Sequence, residues 1–239
     1  MNRVLELHAE EAGTSPDRMS TRVKLILTAE KLFATRGIEA VSLREIAAAA
    51  GQRNTNAVTY HFKSKLGLAW GIFTLRMEEM EEPRRQLLAE VEKRGLLGDT
   101  RALLEAFCLP QLNVLDDEGC HSYAGFMAHY QYHQLPEPSF LDESKWPTLH
   151  RIYHLLLKRI DYVPFDAARL RIRISVLMFQ DLLARLDQST VASKLPFPIM
   201  MSDRLEAMTA ALCAPYQPNQ DARHQSNILQ SLKLSFPKA

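Results

Sequence analysis

The sequence has little that would place the chain outside a cell or in a membrane. Its three cysteines, Cys108, Cys120 and Cys213, lie far apart and form no C-x-x-C pair. Such a sparse, odd set argues against a disulfide framework and favours a reducing compartment. No run approaches the ~18 consecutive apolar residues of a membrane span. The N-terminus carries Glu6 and Glu10 where a signal peptide would be basic. We therefore predict a cytoplasmic protein with no membrane contact.

The chain also lacks the motifs of an enzyme: no phosphate-binding loop, no nucleophile with a neighbouring base and no H-E-x-x-H sequence is evident. The pairs His129/His133 and His150/His154 have the four-residue spacing that places two rings on one side of a helix, as a metal pair requires. With no third ligand identifiable, core or surface histidines are the favoured interpretation, and metal binding stays open. We predict no catalytic residue, no metal site and no cofactor.

The net charge is small, but the charged residues are unevenly distributed along the chain. The 239 residues carry a formal net charge of only +1, and 46% are apolar, which suits a globular protein with a substantial core. Residues 21–66, however, hold eight basic and three acidic side chains, a net +5, so the remainder sums to −4. A basic end on an acidic molecule is typical of a small nucleic-acid-binding module.

Within the basic region, two short helices separated by a glycine turn are predicted. Ser42 and Glu45 fit the S-x-x-E capping box that begins a helix, and apolar residues then recur at helical spacing. Gly51 ends this helix where a left-handed residue is commonest. The second helix begins at Asn54 or Thr55, since both residue types are accepted at an N-cap.

The second helix has one apolar side and one polar side. Val58 and Phe62 are four residues apart and face the core, whereas Asn56, Thr59 and Tyr60 point elsewhere. A helix, a glycine turn and a second helix with a polar outer face form the pattern of a DNA-reading helix-turn-helix.

The stretch from Thr21 to Leu68 resembles the N-terminal DNA-binding domain of TetR-type transcriptional repressors. The motifs that carry the resemblance are specific in combination: Leu32-Phe33, Arg36-Gly37, Val41 to Ala47 (VSLREIA), Gly51, and Tyr60 to Lys65 (YHFKSK). One departure is an extra residue between Gly51 and Phe62, most easily placed in the turn at Gln52 or Arg53. The resemblance covers about the first third of the chain. It implies a homodimeric regulator that binds a pseudo-palindromic operator in double-stranded DNA.

Two kinds of DNA contact are predicted on this domain. Amide and hydroxyl side chains on the second helix are candidate base readers, since asparagine pairs well with adenine in the major groove. Hydroxyl, imidazole and cationic groups around it are candidate phosphate contacts. The predicted DNA-binding residues are Ser42, Arg44, Arg53, Asn54, Thr55, Asn56, Thr59, Tyr60, His61 and Lys65.

The predicted fold is all-α: an N-terminal three-helix helix-turn-helix domain and a larger helical C-terminal domain for dimerisation and ligand binding. We assign residues 1–20 to a flexible arm, 21–66 to the DNA-binding domain, 67–214 to the body and 215–239 to a tail. The arm is as consistent with a disordered extension as with a DNA-contacting segment.

Apolar periodicity predicts six helices in the body. The first begins at Lys65 and runs to Met80, and Pro83 should kink or break it; whether residues 84–94 continue it is open. Further helices are expected over residues 99–115, with an interruption at Pro110, and over 122–134, 148–162, 165–186 and 202–214. Residues 135–147 contain three prolines and are predicted to form a loop.

Two surfaces of the body are predicted. Helix 165–186 is apolar on more than one stripe and so needs cover on two sides; with the last helix it would form a four-helix interface between two subunits, as the resemblance also implies. The predicted dimer residues are Ile172, Val176, Phe179, Leu183, Leu186, Leu205, Met208 and Leu212. Aromatic, histidine and methionine side chains are either plain core or the walls of an effector cavity. The predicted ligand residues are Phe107, Phe126, Met127, Tyr130, His133, Tyr153 and Met178.

Three functions compete. The first is a dimeric DNA-binding regulator, a repressor released from its operator by a small apolar or aromatic effector. The second is a DNA-binding regulator without an effector, whose body serves only for dimerisation or a protein partner. The third, an all-helical metalloenzyme, lacks a complete ligand set and is disfavoured. The first two differ in whether the body encloses a cavity.

Overall fold

The computed structural model describes residues 20–52, 54, 56–132, 144–187 and 195–216. Within these residues the regular structure is entirely helical, which confirms the all-α fold class. The N-terminal arm, most of the proline-rich loop and nearly all of the C-terminal tail lie outside the described residues. Arg53, Thr55 and His133, which the sequence marks as candidate site residues, lie outside them too.

The described helices follow one another along the chain. They are α1 (Thr21–Arg36), α2 (Leu43–Ala49), α3 (Ala57–Phe62), α4 (Lys65–Lys93), α5 (Thr100–Cys108) with a 3₁₀ turn (Leu109–Asn113), α6 (Ser122–Tyr132), α7 (Pro147–Arg159), α8 (Phe165–Leu186) and α9 (Phe197–Leu212). Helices α1–α3 and the start of α4 form the N-terminal domain, and the remainder forms the body. None of the described helices is long and apolar enough to cross a membrane.

The longest helix, α4, continues through Pro83 to Lys93. Proline removes one backbone hydrogen bond and crowds the carbonyl four residues earlier, which costs about 3 kcal/mol or more inside a helix. Met80 and Leu88, on either side of the proline, are both buried. Burial of both halves offsets that cost, so the predicted kink or break does not end the helix, and residues 84–93 continue it.

Prolines mark three helix boundaries: the interruption at Pro110 was predicted, whereas the starts of α7 and α9 were predicted one and five residues late. Pro110 lies in the first turn of the 3₁₀ segment that follows α5. Pro147 opens α7, and Pro198 lies in the first turn of α9, so α9 begins five residues before the predicted Ser202. A proline is tolerated in the first turn because the N–H it lacks has no helical partner there.

The predicted dimer stripe is corrected by the structure. Ile172, Phe179 and Leu183 are buried within the single chain, where α8 packs against α6 and α9. The α9 residues Leu205, Met208 and Leu212 are buried in the same chain, whereas Leu186 is 36% exposed and Val176 is half-buried. Six of the eight predicted dimer residues thus belong to the body's own core, because α6 and α9 provide cover that the sequence alone would assign to a partner.

Candidate nucleic-acid interface and its contact with the body

Helix α2 begins and ends as the local sequence predicts. The Ser42 hydroxyl accepts a hydrogen bond from the Glu45 backbone N–H at 3.2 Å. The Glu45 carboxylate accepts from Arg36, and this bond, with a smaller contribution from the Ser42 backbone, lowers the pKa of Glu45. Gly51 follows the helix with φ +70°, and the Gln52 N–H donates to the Ala47 carbonyl at 2.9 Å, which closes the helix end.

The second helix of the motif, α3, starts later than predicted. Its first residue is Ala57, and its N-cap is Asn56 rather than Asn54 or Thr55. The Asn54 side chain accepts a hydrogen bond from the Asn56 N–H at 2.9 Å, and the Ala57 N–H donates to the Asn54 carbonyl at 3.1 Å. Asn54 therefore stabilises the turn. The turn is therefore longer, and α3 shorter, than the sequence predicted.

The polar side of α3 faces solvent. Val58 and Phe62 are buried, as predicted. Asn56, Thr59 and His61 are exposed, and Tyr60 is 84% exposed with its ring edge-on to His61. Ser42, Arg44 and Asn54 are exposed on the neighbouring segments. The described candidate DNA residues therefore lie on accessible surface, with Lys65 half-buried.

Close packing at Phe62 fixes the angle between α3 and α4. A Cβ at Gly67 would lie 2.1 Å from the Phe62 carbonyl oxygen, and one at Gly71 would lie 2.9 Å from the Phe62 ring. Lys63 joins the two helices with φ +63°, a backbone conformation that residues other than glycine seldom adopt. The Ser64 hydroxyl then caps α4 by accepting from the Gly67 N–H at 3.0 Å.

Several basic side chains of this domain are already engaged within the protein. Lys31 pairs with Asp117 and Glu118 of the body, each at 2.6 Å, and these bonds raise the pKa of Lys31. Arg36 pairs with Glu45, and the Lys65 ammonium donates to the Glu39 carbonyl at 3.2 Å. The net +5 therefore overstates the charge that is free for phosphate. Among the described residues, Lys24, Arg44 and Lys63 are exposed cations with no ion pair.

Residues 25–69 match the model of a family described as bacterial regulatory proteins, tetR family. The match covers α1, α2, α3 and the first residues of α4, which are the elements of the helix-turn-helix. This match identifies α1 to α3 as a DNA-binding domain of the tetR type and supports a DNA-binding transcriptional regulator. No curated protein matches the chain.

The body that follows this domain buries most of the predicted ligand residues. Phe126 and Tyr130 on α6 are buried with ring centroids 5.6 Å apart, and Met127 and Phe107 are buried near them in one apolar cluster. Tyr153 packs at the edge of that cluster. Met178 on α8 likewise lies at its edge, half-buried.

Helix α6 also packs directly on the DNA-binding domain. A Cβ at Gly125 would lie 3.1 Å from the Ala34 Cβ, and the Phe33 and Phe126 rings stack at 6.2 Å. The contact is close because Gly125 has no side chain. One helix therefore touches both the predicted ligand residues and α1.

A buried charged cluster, formed by Glu30, Arg76, Glu79 and Ser122, joins the two domains. Arg76 donates to both carboxylate oxygens of Glu30 at 2.6 and 2.7 Å and to Glu79 at 2.7 Å. The Ser122 hydroxyl donates to Glu30 at 2.6 Å. Burial lowers the pKa of Arg76, but the two carboxylates outweigh it and raise that pKa.

Sequence reasoning missed this cluster and a second buried arginine, Arg84. Each interrupts an apolar helical stripe: Glu30 lies between Ile26 and Phe33, and Arg84 between Met80 and Leu88. A charged residue at such a position is the signal that would have found them, because charges are almost never fully buried without a partner.

Proposed function

We propose that this chain acts as a homodimer, binds a pseudo-palindromic operator in double-stranded DNA through α3 and represses transcription until a small effector binds the body. The observation that carries the proposal is the double contact of α6, with Phe126, Met127 and Tyr130 in the body core and Phe33 and Ala34 on α1.

The proposed reading surface is the exposed side of α3 with the turn before it. Asn56 and Thr59 would contact base edges, and Arg44 would contact phosphate, since guanidinium groups fix the protein on the backbone without reading sequence. The prediction for Lys65 changes, because its ammonium already donates to Glu39. Arg44, which is exposed, is the better candidate for a phosphate contact.

The proposed dimer surface is the outer side of α8 rather than its buried stripe. Leu170 and Ile174 are 50% and 45% exposed, and Leu177 continues their line at helical spacing. On the adjacent α9, Ile199 is 53% exposed, and Ala207 is an exposed small residue that would let a partner helix approach. Apolar side chains in a row on two packed helices are typical of an interface.

Effector action would work through the α1–α6 contact. A ligand that enlarged the space around Phe126 and Tyr130 would shift α6 against α1 and change the position of α3. It must bind the DNA-free arrangement more tightly than the DNA-bound one, or it shifts nothing. The coupling would be of order 1–3 kcal/mol, and DNA would weaken ligand binding by the same factor.

DNA selection from a random library tests the core of this proposal. We expect enrichment of a pseudo-palindrome bound by one dimer, with the logarithm of affinity falling linearly with the logarithm of salt concentration. Asn56→Ala should relax preference at one position by about 1–3 kcal/mol, whereas Arg44→Ala should weaken all sequences about equally. Binding of one monomer per site, or affinity indifferent to salt, would refute it.

Light scattering on size-separated protein tests the dimer surface. The paired substitution Leu170→Arg with Ile174→Arg should give folded monomers, because both side chains are exposed in one chain. Phe179→Arg is the matched control; it buries an unpaired charge in the core, so it should lower the stability of the fold itself by several kcal/mol. Dimers that persist with both α8 surface substitutions would show that the interface lies elsewhere.

A further inference from the structure

Arg84 on α4 is a buried cation without an anionic partner. Its side chain is fully enclosed, and the residue is 1% exposed. Nε donates weakly to the Phe107 carbonyl at 3.5 Å, and the guanidinium carbon lies 5.8 Å from the Phe107 ring centroid. Nη2 reaches only the sulfur atoms of Met80 and Met77, at 3.5 and 3.7 Å. Sulfur is a weak acceptor, so these contacts compensate the charge poorly.

The third nitrogen of the guanidinium, Nη1, has no hydrogen-bond partner. Within the described part of the chain, no carboxylate lies at ion-pair distance from it. The acidic residue that acts on Arg84 is Glu81, one of whose oxygens accepts from the Thr148 N–H at 2.6 Å while the other is unpaired. Burial lowers the pKa of Arg84, yet an arginine stays protonated in proteins. The positive charge is therefore retained in the core.

A second unpaired donor lies beside this charge. The Tyr123 hydroxyl on α6 is buried and has no hydrogen-bond partner. Burial raises the pKa of Tyr123, and the nearby Arg84 charge acts in the opposite direction, so the hydroxyl keeps its proton and remains a donor. The Trp146 Nε1–H, in the same core, is also unpaired. Buried donors left unpaired each cost roughly 1–3 kcal/mol, so an acceptor that reached both Arg84 and Tyr123 would stabilise the core.

We propose that the body core binds a small organic anion whose carboxylate accepts hydrogen bonds from Arg84 Nη1 and the Tyr123 hydroxyl. The rest of the ligand is apolar, because the neighbouring side chains include Met77, Met80 and Phe107, and methionine adapts its shape readily. This deepens the proposed function, on which it rests, since it assigns the effector a negative charge that a purely apolar molecule lacks.

Thermal unfolding with chain-matched probes tests the assignment. The probes are straight-chain carboxylates from butanoate to dodecanoate, benzoate and phenylacetate, each below its aggregation concentration, with the corresponding alcohols as neutral controls. We expect at least one carboxylate to raise the Tm of the full-length protein while its alcohol does not. In Arg84→Met, which keeps the side-chain volume but removes the charge, we expect affinity for that carboxylate to fall on the order of 10–100-fold.

Two further variants keep the test decisive if Arg84→Met folds poorly. Tyr123→Phe removes only the hydroxyl and should weaken the carboxylate several-fold. Arg84→Lys keeps the charge but not the planar fork, and should bind more tightly than Arg84→Met and less tightly than the wild type. The proposal is overturned if no carboxylate stabilises the wild type more than it stabilises these variants, or if the alcohols stabilise it equally.

Operator release separates this inference from the function on which it rests. The same probes are added to the protein bound to its selected operator fragment. A carboxylate that binds through Arg84 but leaves DNA affinity unchanged supports the anion site and refutes effector control. An alcohol that releases the DNA equally from wild type and Arg84→Met supports effector control and refutes the anion site.

Discussion

Helix α4 carries two buried arginines just over two turns apart, and their surroundings differ. Arg76 is 3% exposed and donates to two carboxylates, Glu30 and Glu79. Arg84 is 1% exposed and donates to a carbonyl and two thioethers. The comparison teaches that burial alone does not define the role of a charge. The paired arginine belongs to the contact between domains, whereas the unpaired one has the character of a binding site.

The largest expected effect separates the two arginines directly. Arg76→Met leaves the buried Glu30 and Glu79 carboxylates without their cation, so we expect the free energy of unfolding to fall by about 3–5 kcal/mol. Arg84→Met removes a charge that no carboxylate balances, so stability should stay equal or rise. Urea unfolding of both variants at one protein concentration measures this. Equal losses in the two variants would abolish the distinction.

A second pair of substitutions tests the same contrast on α6. Ser122→Ala removes a hydroxyl that donates to Glu30 at 2.6 Å, and a hydrogen bond to a charged group contributes about 1.5–3 kcal/mol. Tyr123→Phe, at the next position, removes a hydroxyl without a partner and should cost nothing or stabilise the fold. The same urea experiment applies. A larger loss in Tyr123→Phe would mean that its hydroxyl is satisfied in solution.

The Cys108 thiol lies near Arg84, and its effect on stability should depend on pH. Burial raises the pKa of this thiol from 9.0 to about 12, and Arg84 partly opposes the rise. Because the folded-state pKa is the higher one, its stabilising contribution is complete below pH 9.0 and is lost as pH rises towards about 12. The loss should approach about 1.4 kcal/mol per pH unit in that window.

Cys108→Ala isolates this effect from the tyrosines that also titrate at high pH. The stability difference between wild type and Cys108→Ala should shrink as the pH rises above 9.0. In an Arg84→Met background the shrinkage should extend to higher pH, since the charge that favours the thiolate is gone. Parallel stability curves for wild type and Cys108→Ala would show that this thiol does not differ in pKa between the folded and unfolded states.

The smallest expected effect concerns an exposed bridge between the same two domains. Lys31 on α1 pairs with Asp117 and Glu118, whose side chains are 82% and 70% exposed. Ion pairs in solvent contribute less than about 1 kcal/mol and are screened by salt. Lys31→Ala should therefore lower stability slightly at low ionic strength and not at high ionic strength. A loss comparable to that of Arg76→Met would show that exposure does not separate these two bridges.

Predictions from the sequence were most accurate where they depended on interactions between residues close together in the chain. Ser42 and Gly51 act within one or two turns of their own backbone, and both were placed correctly. The bounds of α8 were predicted to the residue. The start of α9 was predicted five residues late, although a proline such as Pro198 is favoured in the first turn of a helix and signals an earlier start. The start of α3 was missed because the Asn54 side chain bonds locally to the Asn56 backbone and extends the turn.

The candidate sites also differ in how far their exposure could be predicted from the sequence. Exposure of Asn56, Thr59 and Tyr60 follows from their position opposite Val58 and Phe62, which sequence spacing gives. The exposure of Leu170 and Ile174 cannot be predicted from sequence spacing, because α8 is apolar on two stripes and only packing against α6 and α9 decides which stripe is covered.

The sequence by itself determined the all-α class and the helix-turn-helix, because these depend on periodicity, caps and turn residues that are close neighbours in the chain. Tertiary structure alone decided which charges meet. Glu30 and Arg76 are 46 residues apart, and Glu30 and Ser122 are 92 apart; no local pattern predicts contacts at such separations. The isolation of Arg84 is likewise a tertiary result, since whether a buried charge finds a partner depends on every helix packed around it.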